Sequence, residues 1–308
     1  SSLTYKFYDY QQDISIAVST RKLAISENVD IGLGTLFSKE AIAVGAEFEK
    51  ARTPLIVPTA TNPAVTKDRK FVYRATFSDQ FQAKQISDFV KARGEKKILI
   101  VTNISDPYSS FLSSEFKKTA NEIGIETTSY EFIEGQLETK DLFKMVSNSQ
   151  TKALFLPLYH KDLVSIYSEA KKRAFRGTFF GSDSVGGHEI FMRMIGELDP
   201  KINFFFTKQW SEQVGSNPIE KEYKGIKRKY CPELDDNMQL LAAFDTAKFV
   251  ALSARYMHQH KNASAVEAME NTSYQGVLGS INYNRENRDL NRKVYFFRLG
   301  TPKSELVD

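Results

Sequence analysis

Residues 54–66, PLIVPTATNPAVT, run from a short apolar segment straight into Thr59, Thr61, Asn62 and Pro63. Leu55, Ile56 and Val57 read as a buried strand, because a continuous aliphatic run bounded by prolines suits a strand covered on both faces. Pro63 suits a first helical position and Asn62 the cap before it. A strand that merely ends needs one turn residue. Two threonines between strand and helix put hydroxyls at the edge where open parallel sheets bind their ligands, beyond the carboxyl ends of the strands.

The same alternation extends outward on both sides. LTYKFY (3–8), VDIGLG (29–34) and KFVYRA (70–75) read as strands, separated by the helical patterns AVSTRKLAISEN and KEAIAVGAEFEKA. After the helical DQFQAKQISDFVKARG the order restarts with KKILIVT, IETTSYEFI, KALFLPL, GTFFG and INFFFTK, with helices between them. Strand-helix order of this kind means parallel sheets covered on both faces, and two runs of it imply two lobes. A length of 308 residues is too long for one ordinary domain and suits two of roughly 150. Beyond KQWSEQ the chain turns mostly helical, with EKEYKGIKRKY and NMQLLAAFDTAKFVALSARYMHQH, and closes on QGVLGSINYN and the strand KVYFFRL. The chain is therefore expected to cross between lobes near residues 78, 209 and 284, giving lobe one as 1–78 plus 209–283 and lobe two as 79–208 plus 284–308.

Composition narrows the function. The chain is 41% hydrophobic and 26% charged, with no low-complexity tether. Its net charge of +4 is scattered over predicted helices, which argues against nucleic acid as a partner. No stretch of about eighteen apolar residues is present, so no membrane span is expected. One cysteine, Cys231, and four histidines without ligand spacing predict neither an internal disulfide nor a metal. GLGTLF (32–37) imitates a dinucleotide fingerprint, but Phe37 stands where the third glycine allows close packing. There is no P-loop, nucleophile elbow or Ser/His/Asp set, so neither a cofactor nor catalysis is expected.

On the strand-end rule, Ser38 follows DIGLG, Thr59 and Thr61 follow PLIVP, Tyr108 follows KKILIVT, Tyr159 follows ALFLPL, and Asp183 follows TFFG. Each has a plain structural role open to it: Ser38 and Thr61 as helix caps, the tyrosines as half-buried loop residues, Asp183 as a turn residue. Together they are complementary. Hydroxyls at helix N-termini suit a carboxylate, a carboxylate suits an ammonium, and two tyrosines suit an organic body.

These residues carry a resemblance to the type I periplasmic binding proteins, in the leucine/isoleucine/valine-binding branch that serves amino-acid ABC transporters. GTLFSKEAIAV, PLIVPTATNPAVT, VYRATFSDQFQ, SDPYSSFLSSEFK and GVLGSINYNRENR are each similar to a segment of that family, nearly end to end. The resemblance implies a two-lobed α/β clamshell of doubly wound parallel sheets that closes on an α-amino acid or close analogue. Ser38 and Thr61 would hold the ligand carboxylate, and the Thr59 carbonyl and Asp183 its ammonium. Tyr108 and Tyr159 match the aromatic residues of the second lobe. Leu36, Phe37, His160, Trp210 and Gln239 are candidates for the side-chain pocket. His160 and Gln239 favour a polar or extended ligand, Leu36 and Phe37 an apolar one, while Trp210 either lines the cleft or packs at a hinge. The implied partner is a transporter permease, and the implied location is the periplasm or cell exterior, with any signal segment or lipid anchor outside this sequence. FYDYQQDISIAVSTRKLA resembles the second strand and helix of the family, so a preceding strand-helix segment, or another segment in its place, is expected in the natural protein. A ligand-sensing domain of a receptor or regulator, built on the same clamshell, is the alternative.

Overall fold

The computed structural model describes residues 3–186, 188–214, 218–234, 237–290, 292–301 and 303–307. The chain divides into two compact units, 1–78 with 216–292 and 79–215 with 293–308.

The first unit opens with α1 (Ile14–Ser26), capped by the Asp13 carboxylate, which accepts from Ile16 N–H. Then follow β1 (Gly32–Leu33), α2 (Ser38–Ala51), β2 (Leu55–Val57) and β3 (Val72–Arg74). These strands form a parallel sheet in the order β1-β2-β3. Every residue of β2 and β3 is buried, as strands sandwiched between layers must be. Leu55, Val57 and Val72 pack with Ala41, Val44 and Phe48 of α2, whereas Ile56 and Tyr73 pack with Phe249, Met269 and Ile281 from the far end of the chain.

The second unit runs α3 (Asp79–Ala92), β4 (Lys97–Asn103), α4 (Pro107–Glu122), β5 (Glu126–Phe132), α5 (Thr139–Ser149), β6 (Ala153–Leu156), α6 (His160–Lys172), β7 (Gly177–Gly181), α7 (His188–Ile195) and β8 (Ile202–Lys208). The chain then returns to the first unit as α8 (Pro218–Tyr230), α9 (Met238–Gln259), α10 (Ala265–Glu270) and the hairpin β9 (Ser273–Gly276) and β10 (Gly279–Asn282). It ends in the second unit with β11 (Tyr295–Arg298) and β12 (Glu305–Val307). The second sheet is ordered β12-β11-β8-β7-β6-β4-β5, parallel from β8 to β5 and antiparallel at β11 and β12. Alternate residues of β4 serve opposite faces, with Leu99 and Val101 in one apolar cluster and Ile98 and Ile100 in the other. The architecture is α/β, with parallel-rich sheets and helices in both units.

Two local expectations are corrected. LTYKFY (3–8) forms no strand, because it pairs with none of the described strands and its alternation has no ladder to join. Its side chains turn to other partners: Lys6 and Tyr8 both reach Glu27. The second and third crossings also lie later than 209 and 284. Gln213 keeps the stretch after β8 in the second unit, donating to Ser304 O at 2.8 Å and accepting from Leu306 N–H at 2.9 Å. Residues 284–290 stay with the first unit because Arg288 donates to Lys70 O and Asp289 accepts from Thr66.

Candidate ligand-binding site

Because β1 and β2 are parallel neighbours, their carboxyl ends bring two strand-helix junctions side by side in the first unit. Ser38 is the first residue of α2, and Phe37 at the capping position makes no side-chain capping hydrogen bond. Asn62 N–H donates to Ser38 Oγ at 3.4 Å, and Thr59 Oγ1 donates to Leu36 O at 2.6 Å, so the two loops are tied directly. The Asn62 side chain caps the short 3-10 turn Pro63–Val65 through Ala64 N–H, as the Asn-Pro pair predicted. Beneath the loop lies Arg74, whose Nη1 donates to Thr61 O at 2.8 Å and Asn62 O at 2.9 Å. The Thr59 carbonyl accepts no backbone hydrogen bond from the described residues. Ser38 and Thr61 are each 1% exposed, and Leu36 and Phe37 are half-buried beside them in sequence.

In the second unit, Tyr108, Tyr159 and Asp183 follow the carboxyl ends of β4, β6 and β7. The Tyr108 and Tyr159 rings stack at 5.3 Å and 25°. Tyr108 OH donates to Asp183 Oδ1 at 2.9 Å and lies 2.5 Å from Ser182 Oγ. Gln82 of α3, fully buried, donates from Nε2 to Asp183 Oδ1 at 2.9 Å and accepts from Asp183 N–H at 3.2 Å. No described side chain donates to Oδ2. Burial pushes the Asp183 carboxyl above the usual carboxylate range, an effect partly offset by Gln82 and Tyr108 and by nearby backbone N–H groups. Burial, with the Asp183 and Asp79 charges, drives the Tyr108 phenol far up, so it remains a proton donor. His160 Nε2 lies 2.8 Å from Val185 O, which can only accept, so the ring donates to the unit's own loop.

The sequence candidates thus fall into two groups. Leu36, Phe37, Ser38, Thr59 and Thr61 gather at one sheet edge of the first unit, and Tyr108, Tyr159, His160 and Asp183 at one sheet edge of the second. Gln239, in the first turn of α9, and Trp210, just after β8, are half-buried, in the first and second units respectively. Sequence reading missed Gln82, Ser182 and Arg74 as parts of the site. Arg74 left a signal, since an arginine inside a buried strand demands partners. Gln82 left none, as its helix pattern is that of an ordinary amphipathic segment. Among the described residues no group of three or more His, Cys, Asp or Glu is placed to hold a metal, and no helix is long and apolar enough to cross a membrane.

The chain is similar to the leucine-, isoleucine-, valine-, threonine- and alanine-binding protein of Pseudomonas aeruginosa, at 23% identity over 59% of this chain. That match spans half the length of the Pseudomonas protein. A Leu/Ile/Val-binding protein homologue of Brucella melitensis is 20% identical over 90% of this chain and 73% of its own length. Among solved structures, the leucine-binding protein LivK of Thermotoga maritima superposes with a TM-score of 0.87 at 23% identity, covering 98% of this chain and 85% of that one. A solute-binding protein from Rhodopseudomonas palustris in complex with 4-hydroxybenzoate gives 0.78 at 17% identity, covering 97% and 81%. The sequence matches the periplasmic binding protein family over residues 2–304, nearly its whole length, and the chain belongs to that family.

Proposed function

We propose that this protein is an extracytoplasmic solute-binding protein of an ABC transporter, and that its ligand is an α-amino acid or close analogue. The observation that carries the amino-acid reading is Asp183: a carboxylate aligned by Gln82 and Tyr108 through one oxygen, beside two stacked tyrosines. Such a group selects a ligand with an ammonium. Ser38 and Thr61, with the first turn of α2, supply the counterpart for a carboxylate, and the Thr59 carbonyl adds an acceptor for the ammonium. The ligand undergoes no chemistry and is passed to a permease.

The similarity to a protein bound to 4-hydroxybenzoate, together with the raised pKa of Asp183, favours a second reading in which a protonated Asp183 donates to a phenolic acid. Calorimetric titration with the twenty amino acids and a set of hydroxybenzoates separates the two. Amino-acid affinity should fall as the pH drops through the Asp183 pKa, and Asp183→Ala should weaken it by about tenfold to a hundredfold, the range for a hydrogen bond to a charged group. Binding of hydroxybenzoates alone, strengthening toward acid, would replace the first reading with the second.

A further inference from the structure

Asp289 belongs to neither group of site residues, yet both its oxygens engage groups at the segment that carries Thr61. Oδ1 accepts from Thr66 Oγ1 at 2.9 Å, and Oδ2 pairs with Arg74 Nη2 at 2.8 Å. The Asp289 side chain is 44% exposed, whereas that of Arg74 is 1% exposed. Nε of this buried guanidinium meets no hydrogen-bond partner among the described residues, so Arg74 is oriented through its two terminal nitrogens. Nη1 holds the carbonyls of Thr61 and Asn62. The peptide joining Thr61 to Asn62 is therefore gripped at both ends: its carbonyl rests on Arg74, and its N–H points at Ser38 Oγ. In a planar trans peptide these two groups point in opposite directions, so moving one moves the other. A continuous path runs from Asp289 through Arg74 and this peptide to Ser38.

We propose that Asp289, acting through Arg74, is a positioning residue that sets the Thr61 loop and the Ser38 hydroxyl for the ligand carboxylate. This rests on the reading of Ser38 and Thr61 as carboxylate anchors. Without Asp289 the guanidinium loses the charge that fixes Nη2, its hold on the two carbonyls tilts, and the peptide N–H leaves Ser38. A salt bridge that merely stabilises the unit would leave the anchors where they are.

The test is calorimetric titration of Asp289→Ala and Asp289→Asn with the amino acid that most raises the wild-type melting temperature, alongside Thr61→Val and the Thr61→Val/Asp289→Ala double variant. Asp289→Ala should weaken binding roughly tenfold, as expected for loss of one charge-assisted contact, with the asparagine variant intermediate. The Thr61→Val loss should be smaller in the Asp289→Ala background, because residues acting through one network are not additive. Wild-type affinity in folded Asp289→Ala, or full additivity, would overturn the proposal. If Asp289→Ala does not fold, the asparagine variant takes its place in the same cycle. Should the wild type bind no amino acid, the anchor reading fails, and hydrogen exchange of the ligand-free protein still decides about Asp289. Faster exchange confined to residues 58–66 in the variant supports positioning, whereas unchanged or uniformly faster exchange rejects it.

Discussion

The amide of Gln82 meets Asp183 twice and takes a third contact from the Thr207 hydroxyl, at 3.1 Å to Oε1. These partners fix which end of the amide is which, since a carboxylate can only accept and a backbone N–H can only donate. The consequence for Asp183 can be followed through its charge. Burial raises its pKa, and the Gln82 donor partly restores it. In the free protein, a carboxyl with a raised pKa adds stability below its unfolded value of about 3.9 and loses that contribution as the pH rises through the folded pKa. An ammonium ligand selects the ionised form, so affinity is full above the raised pKa and falls as the pH drops through it. Gln82→Met removes the donor and should move this acid limb to higher pH, while leaving Thr207 and the Asp183 N–H without their acceptor at a cost of about 1–3 kcal/mol. Affinity measured from about pH 4 to 8 in both proteins is the check, and an unmoved limb would mean that Gln82 does not tune Asp183.

Among the elements, the β9-β10 hairpin is joined to α9 through one buried side chain. Asp245 accepts from Val277 N–H and Leu278 N–H, both at 2.8 Å, and so satisfies the turn's backbone from inside the unit. A side chain at Gly276 would run into that carboxylate, which is a close-approach reason for the glycine. Asp245→Asn replaces one acceptor oxygen with a donor facing an N–H, so the first unit should lose about 1–3 kcal/mol. Urea unfolding followed by hydrogen exchange in α9 and the hairpin reads this out; equal stability would show that the turn finds other acceptors. Such long-range pairs explain what the sequence left illegible. PLIVP and KKILIVT announce buried parallel strands by themselves, and Ser38, Thr61, Tyr108 and Asp183 follow from asking which polar residues come after such strands. The roles of Arg74 and Gln82 depend on partners far along the chain, Asp289 and Asp183, whose proximity no local pattern encodes. LTYKFY misled for the converse reason: its alternation is genuine, but a strand exists only where another strand pairs with it. The crossings near 209 and 284 were misplaced because Gln213, Arg288 and Asp289 decide unit membership by hydrogen bonds to distant backbone and side chains.

At the level of the whole molecule, the chain passes from one unit to the other three times, after residues 78, 215 and 292. Each unit is consequently assembled from separate pieces of sequence, and each has its own apolar clusters on both faces of its sheet. Two such bodies need not unfold in one transition. A ligand stabilises whichever unit supplies its contacts, so the thermal response reports on which of the proposed anchors act. At a ligand concentration about a hundred times Kd this linkage amounts to about 2.7 kcal/mol, which for a body of this size raises the melting temperature by about 5 °C or more. The measurement is a thermal scan of the wild type, Ser38→Ala and Asp183→Ala with and without the best amino acid. Each substitution should greatly reduce the ligand-induced shift, read against that variant's own ligand-free scan, whose midpoint falls because Asn62 N–H, or Gln82 and Tyr108, lose their acceptor. A shift that survives unchanged in Ser38→Ala would assign the ligand to the second unit alone, and one that survives in Asp183→Ala would assign it to the first. Loss in both is the outcome expected if Ser38 and Asp183 both act as anchors for the ligand.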